Sequence, residues 1–446
     1  MSAATSPPWR ASGATLFAMN RMRPLIALVL CLVLLASAMP ARAYSVLTHE
    51  EIIDMAWDTD IRPLLHARFP QASPAELKEA HAYAYGGSVI QDLGYYPFGS
   101  GEFSDLVHYV RSGDFVDALI RNAQTPDEYA FALGALAHYA SDVKGHPAVN
   151  QAEAVEYPKL AAKLHARTIT FEEDPIAHVQ TEFGFDMVQV AKQRYTADQY
   201  HDYIGFEVAK PLLERSFLEV YGLPLDHVLT REDLAIGTYR HAISDWIPNL
   251  TKAAVKDRSA QLAKEVPNFN EKKFLYNVSR ADYERSWGRT YTKPSFGARV
   301  VTFILKLMPK IGPFRKLKFK APTPATEDLY FKSVNDTITY YRECMRALRN
   351  GQTLDLENRD LDTGGPTRAG EYSRSDKSHA RLLHALRDEH FAQMDPALRQ
   401  RLLEFYQNGG EAALHHRDQR ERAARDLAEL RSLTPSVANA NMLTRH

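Results

Sequence analysis

Hydrophobic positions along the chain recur mainly at three- and four-residue intervals, the spacing that lines one face of an α-helix. From residue 48 onward Ala, Leu, Glu and Lys are frequent, and alternating β-branched runs are few. The pattern therefore predicts an all-α fold, with one multi-helix domain followed by a further helical region.

Local capping and breaking residues place the first helices. The sequence Thr48-His49-Glu50-Glu51 resembles a capping box and predicts a helix that runs to residue 57. A second helix is predicted at residues 74–85, with Gly86-Gly87 ending it. Residues 92–101 are rich in Gly and Tyr, and they predict a loop.

An Ala-rich helix is predicted at residues 126–142, buried on most sides, and His108 is expected to begin or lie within the helix before it. The long helix reaches His146 only if Gly145 does not end it. Further helices are predicted at residues 175–194, 198–221, 231–266, 327–348, 375–386 and 396–430.

A change of composition suggests where the chain divides. Over residues 290–323 apolar residues interleave with Lys and Arg, and we place a loose domain boundary near residue 275. The boundary would separate a domain at residues 44–275 from a helical region at 276–446. The length of 446 residues favours two structural units or one enlarged helical unit.

The overall composition is that of an ordinary globular protein. Hydrophobic residues make up 45% and charged residues 24%, and the formal net charge is -1. Such a balance shows no global bias toward nucleic acid or membrane. Any electrostatic preference must therefore be local.

The start of the chain predicts an export signal. Two arginines precede the apolar residues 25–36, and an Ala-Arg-Ala pattern that ends at Ala43 supplies a cleavage site. Cleavage of residues 1–43 would make Tyr44 the first residue of a periplasmic or secreted protein. The apolar run is too short for a comfortable membrane span. Cys344 would be the single remaining cysteine, so no internal disulfide is expected.

Two pairs of side chains at helical spacing indicate metal binding. His138 and Asp142 lie four residues apart, as do His178 and Glu182, so each pair shares one helix face and can grip a zinc ion. One such pair is often an ordinary packed histidine beside a carboxylate. Two independent pairs in one domain are much less expected by chance.

In their order along the chain, these residues resemble the zinc-dependent phospholipase C family. Its relatives include glycosylphosphatidylinositol-specific phospholipase D and the single-strand-specific nucleases of fungi and plants. The resemblance spans about residues 44–182. It implies three zinc positions, held by Tyr44, His49 and Asp142 for the first, Asp92, His108, His138 and Asp142 for the second, and His146, His178 and Glu182 for the third.

The implied chemistry agrees with the export signal. Tyr44 would bind zinc through its free amine and carbonyl oxygen, and an α-amine with a reference pKa of about 8 can do so only once it is exposed and deprotonated. Asp142 would bridge two cations, which would lower the pKa of a shared water to about 7 and activate it for attack on a phosphodiester. Asp92 is either a ligand alone or also the proton acceptor for that water.

The leading interpretation is an exported zinc-dependent phosphodiesterase, phospholipase C-like, that acts on phospholipid head groups. The interval from Asp142 to His146 is shorter than in the secreted bacterial phospholipases C and resembles that of the phospholipase D relative, which leaves the substrate open. A single-strand-specific nuclease is the first alternative. It requires stacking aromatics and basic residues, whereas acidic and neutral residues predominate around the ligands, so no specific nucleic-acid partner is expected. A non-catalytic exported protein stapled by zinc is the second.

Two later segments carry patterns that suggest further roles. Residues 299–320 combine basic and apolar side chains, which predicts either peripheral membrane contact or a packed helix with solvated lysines. Asn358, Asp360 and Asp362 hint at a calcium loop, but Gly364 falls one place late and no Glu closes the motif. We expect a polar turn there and assign no chemistry to the region after the boundary.

Overall fold

The computed structural model describes residues 46–191, 206–243, 322–407 and 410–433. Within these ranges the regular structure is helical, and the β-type contact is an isolated bridge between Arg359 and Pro366. The all-α prediction is therefore confirmed. The α-helices in chain order are α1 (Val46–Ala56), α2 (Arg62–Arg68), α3 (Pro74–Ser88), α4 (Gly101–Tyr109), α5 (Ser112–Asn122), α6 (Pro126–Glu156), α7 (Pro158–Leu164), α8 (Pro175–Ala191), α9 (Lys210–Tyr221), α10 (Leu225–Val228), α11 (Glu232–His241), α12 (Pro324–Arg349), α13 (Ser373–Asp388), α14 (Pro396–Gln407) and α15 (Arg417–Ser432).

The long helix α6 forms the centre of the fold. It begins at Pro126, where the Thr125 side chain accepts a hydrogen bond from the Glu128 backbone N–H. It continues through Gly145 and Pro147, so the glycine does not end it. α6 packs against both α3 and α12, and it is buried along most of its length. The ligand candidates on α6 therefore lie on successive turns of one continuous helix.

The prediction that Gly86-Gly87 ends the second helix is wrong, because α3 continues to Ser88. A Cβ atom at Gly87 would lie 2.0 Å from the carbonyl oxygen of Phe131, and one at Gly134 would lie 2.2 Å from that of Ala84. The glycines allow α3 and α6 to approach backbone to backbone. Their role is close helix packing and not helix termination.

Other predicted elements differ from the structure at their ends. The loop predicted at residues 92–101 is wrong in its first part, because Ile90–Tyr95 is a 3-10 helix held by a 3.0 Å hydrogen bond from the Gln91 amide to the Ala135 carbonyl. α1 is followed by a π-helical turn, Trp57–Ile61. The helix predicted at 198–221 is non-helical at 206–209 and begins at Lys210, next to a proline that favours a first turn.

The single helix predicted at residues 396–430 is also wrong, since the structure has α14, a 3-10 turn at Gly410–Ala413 and α15. The Asn-Gly-Gly sequence at 408–410 explains the break, because glycine is a poor helix former. The remaining predicted helices agree with α8, α11, α12 and α13 to within a few residues wherever these are described.

Helices from both sides of the predicted domain boundary share one core. α12 packs on α6, and the Tyr341 hydroxyl donates a 2.9 Å hydrogen bond to the Leu133 carbonyl. α13 packs on α4. The boundary itself, the export signal, Tyr44 and residues 299–320 lie outside the described residues and stay predictions. Among the described residues, no helix combines the length and apolar character needed to cross a bilayer.

Candidate metal centre

The structure brings together every predicted ligand side chain that it describes. They come from α1, the 3-10 helix, α4, α6 and α8, and each is at most 3% exposed. These side chains are His49, Asp92, His108, His138, Asp142, His146, His178 and Glu182. Buried titratable groups at this density are unfavourable unless they are paired or bind a cation.

Asp142 lies between two sets of imidazoles. Its Oδ1 is 3.7 Å from His49 Nε2, while its Oδ2 is 3.1 Å from His138 Nε2 and 3.6 Å from His108 Nε2. Burial raises the pKa of the Asp142 carboxyl group, and the neighbouring histidines oppose that rise. The two oxygens face different ring nitrogens, which is the arrangement that a carboxylate shared by two cations requires.

The hydrogen bonds of His108 and His138 fix which ring nitrogen is free to bind a metal. Nδ1 of His108 lies 2.8 Å from the Ser104 carbonyl oxygen, and Nδ1 of His138 lies 2.9 Å from that of Ser88. A carbonyl oxygen only accepts, so each Nδ1 donates and, in the neutral ring, each Nε2 carries a lone pair. These two Nε2 atoms are 3.5 Å apart, a separation that suits two ligands of one ion.

Asp92 lies next to this pair. Its Oδ1 is 3.5 Å from His108 Nε2, and its Oδ2 is 4.0 Å from His138 Nδ1. Burial alone would lower the pKa of His108, but Asp92 and the more distant Asp142 and Asp362 raise it to about 9. The site is therefore anionic enough to attract either protons or metal cations.

The third group lies at the other end of the cluster. His178 Nε2 is 2.8 Å from Glu182 Oε1, and its Nδ1 is 3.0 Å from Glu153 Oε2. His146 donates from Nδ1 to the carbonyl oxygen of Leu361, while its Nε2 is buried without a hydrogen-bond partner among the described residues. Burial and the nearby His178 lower the pKa of His146 well below its usual value.

The donor atoms fall into three groups that fit metal ions. Within each group the ligand atoms lie within 4.8 Å of one another, and the groups are His49 with His138 and Asp142, Asp92 with His108 and His138, and His146 with His178 and Glu182. Imidazole and carboxylate donors suit zinc. These groups differ from the predicted ligand sets in two respects. His138 joins His49 in the first group, where the two rings stack at 4.4 Å, and Asp142 is not a member of the second group. An ion would also give the unpartnered His146 Nε2 a bond.

Sequence reasoning missed the residues that support the ligands. Glu153, Leu361 and Asp362 all touch the histidines of the third group. The predicted polar turn is present, but it is buried against the metal centre, where Asp360 is 3% and Asp362 is 5% exposed. The acidic spacing at residues 358–362 was the available signal, although it predicted only a polar turn.

An all-helical fold that gathers buried imidazoles and carboxylates into three donor groups defines a candidate metal centre. Residues 48–229 match the family described as zinc dependent phospholipase C, so the resemblance to that family is confirmed. The matched segment contains every described ligand candidate. Comparison with curated proteins and with solved structures gives no match.

Proposed function

We propose that the chain is an exported zinc-dependent phosphodiesterase that hydrolyses phospholipid head groups in the manner of a phospholipase C. The position of Asp142 carries this proposal, because its Oδ1 faces His49 of the first donor group and its Oδ2 faces His108 of the second. Asp142 would thus hold two cations, which would stabilise both the attacking and the leaving oxygen of an in-line displacement.

The proposed centre holds up to three zinc ions. The amine and carbonyl oxygen of Tyr44 would join His49 and Asp142 at the first position once residues 1–43 are removed. His108, His138, Asp92 and Asp142 would form the second position, and His146, His178 and Glu182 the third. Zinc, when bound, lowers the pKa of a coordinated water to about 7 and polarises phosphoryl oxygens.

The side chains of the chain itself supply orientation and proton transfer. The carbonyl groups of Ser88 and Ser104 hold the rings of His138 and His108 with Nε2 directed inward. Asp92 lies on a short 3-10 helix that is anchored to α6, and its carboxylate is the proposed acceptor of the proton lost by the attacking water. The alternative is that Asp92 serves only as a ligand.

The aromatic side chains next to the ligands weigh against single-stranded nucleic acid as the substrate. Tyr95 and Tyr109 lie next to His108, with ring centroids 5.9 and 5.7 Å away, but they are 8% and 0% exposed. Buried rings cannot stack on the bases of a nucleic acid. Peripheral membrane contact through residues 299–320 is part of the proposal, as is export, which would expose the amine of Tyr44.

A metal count combined with a substrate panel tests the proposal. The protein beginning at Tyr44 should contain two or three zinc ions per chain and hydrolyse phosphatidylcholine in mixed micelles, with loss of activity on chelation and recovery with zinc. Single-stranded DNA serves as the competing substrate. A protein with fewer than two zinc ions, or activity that survives chelation, contradicts the proposal, and preferential cleavage of DNA favours the nuclease.

One substitution distinguishes the two possible roles of Asp92, proton acceptor and metal ligand alone. Asp92→Asn should keep the zinc content and reduce turnover by about 100-fold or more if the carboxylate accepts the proton. Loss of zinc in parallel with turnover would assign it to ligand binding alone. A matched chain that begins at Ala43 tests the amine, because the extra residue should weaken the first zinc position.

A further inference from the structure

The turn that connects α12 with α13 reaches the metal centre from outside the matched family segment. Asp362 lies on this turn, is 5% exposed, and places its Oδ1 4.0 Å from His146 Nε2. The adjacent Leu361 accepts the hydrogen bond from His146 Nδ1. Consecutive residues therefore fix the orientation of His146 and present a carboxylate to the ring nitrogen that remains.

Within the described part of the chain, the Asp362 carboxylate accepts side-chain hydrogen bonds at one of its two oxygens. Its Oδ2 accepts hydrogen bonds from the hydroxyl groups of Tyr109, at 2.8 Å, and Tyr372. Its oxygen Oδ1 is the one that faces His146. A carboxylate with one oxygen anchored by donors and the other directed at an imidazole has the form of a single-oxygen metal ligand with its supporting shell.

The backbone of the turn is equally well fixed. Leu361 N–H donates to the His108 carbonyl at 3.1 Å, and Asn150 donates from its amide to the Asp362 carbonyl at 2.8 Å. The Asp362 N–H donates to Asp360 Oδ1 at 3.1 Å. The turn is thus tied to α4, to α6 and to itself, so the position of the carboxylate is set by the fold.

The separation between His146 and Asp362 has a chemical meaning. At 4.0 Å, Nε2 and Oδ1 are too far apart for a hydrogen bond. Zinc binds nitrogen and oxygen at about 2.0–2.1 Å in a tetrahedral arrangement, so two ligand atoms of one ion lie about 3.4 Å apart. His146 Nε2 and Asp362 Oδ1 would therefore move closer together by about 0.6 Å on binding an ion. An ion between these atoms would satisfy both, whereas a direct contact would satisfy neither.

We propose that Asp362 is a further ligand of the zinc ion held by His146, His178 and Glu182. The proposal rests on the proposed function only in requiring zinc at this centre. It makes the helical region after residue 275 part of the metal site, although the matched family segment ends at residue 229. Removal of the turn would therefore cost an ion as well as packing.

Zinc counting on the zinc-loaded full chain tests the proposal. Asp362→Asn should lose one zinc ion per chain relative to wild type, or bind it more than about 100-fold more weakly in competition with a colorimetric chelator, because loss of an outer partner alone costs about 10- to 100-fold. Tyr372→Phe removes only an anchor and should show that smaller loss. Asp360→Asn is the matched control on the same turn and should keep the wild-type zinc content.

Thermal unfolding separates a ligand from a structural residue. Without zinc, Asp362→Asn should unfold at nearly the same temperature as wild type, whereas with zinc it should lose part of the stabilisation that zinc gives wild type. Unchanged zinc content and affinity in Asp362→Asn, or equal zinc loss in Asp360→Asn, overturns the proposal. If the wild-type chain binds no zinc, the proposed function itself is wrong. This result is distinct from one that contradicts only the role of Asp362.

Discussion

Glu153 Oε2 lies 3.0 Å from Nδ1 of His178, and both side chains are fully buried. The carboxylate turns the imidazole so that Nε2 faces Glu182. Glu153 therefore orients a proposed zinc ligand without belonging to any of the three donor groups. Outer partners of this kind fix the tautomer and raise the basicity of the ligand.

Glu153→Gln is expected to weaken binding of one zinc ion by about 10- to 100-fold, because the neutral amide orients and polarises His178 less well. Glu156→Gln is the matched control, since Glu156 lies nearly one turn along α6 and accepts a 2.8 Å hydrogen bond from Thr326. Chelator competition on the two variants measures the difference. Equal zinc affinities would show that Glu153 has no part in the site.

Asp142→Asn should remove most phosphodiesterase activity, with a loss of about 100-fold or more. The reason is that a neutral amide replaces a carboxylate whose negative charge faces three histidines. The zinc content should fall at the same time. Ser141→Ala is the control, because the buried Ser141 hydroxyl bonds back to the Ala137 carbonyl of its own helix. Full activity in Asp142→Asn would rule out the bridging role.

Removal of zinc is expected to lower the thermal unfolding temperature. The ion-free centre leaves carboxylates and imidazoles buried, and a ligand that binds only the folded state stabilises it by about 4 kcal/mol at a thousandfold excess over its Kd. Differential scanning calorimetry across a zinc titration measures this shift, with magnesium as the control ion. A melting temperature that is independent of zinc would contradict a metal centre.

Gly134→Ala is expected to destabilise the fold by about 1–3 kcal/mol, because the new Cβ would lie 2.2 Å from the Ala84 carbonyl oxygen of α3. Gly237→Ala is the matched control in an exposed helix interior, where a Cβ has no atom within 4 Å. It should stabilise the chain by about 0.5–1 kcal/mol. Urea unfolding of both variants gives the comparison, and a stable Gly134→Ala would refute the close helix contact.

His379 is expected to link folding to protons in mild acid. Burial lowers its pKa to about 4 from the unfolded value of 6.5, and its ring stacks on Phe405 at 3.5 Å. Between these pKa values the unfolded chain binds the extra proton, so His379 makes stability fall as pH falls from 6.5 to 4, by up to about 1.4 kcal/mol per pH unit. The stabilisation that neutral His379 provides is fully present above pH 6.5.

His379→Phe keeps a ring against Phe405 but cannot bind a proton. The free energy of unfolding of the variant should therefore decrease less steeply than that of wild type between pH 6.5 and 4. The difference in slope, taken from urea unfolding at a series of pH values, reports the single residue. If the free energy of unfolding falls with the same slope in both proteins, His379 does not have a pKa lowered by burial.

Local residue spacing was sufficient to predict part of the centre. A four-residue interval places His138 above Asp142, and His178 above Glu182, on any α-helix, whatever surrounds it. The family resemblance added the more distant ligands. Breaking residues were less reliable, since Gly86-Gly87 lies inside α3, where helix packing and not chain conformation requires glycine.

The sequence by itself determined the helical class and the two ligand pairs at four-residue spacing, because amphipathic spacing and such pairs are properties of neighbouring residues. Tertiary structure alone decided that Leu361 and Asp362 support His146, more than 200 residues away along the chain. The local sequence does not determine which turn packs against which helix. That choice follows from the packing of α12 on α6 and of α13 on α4, which carries the turn between them to the metal centre.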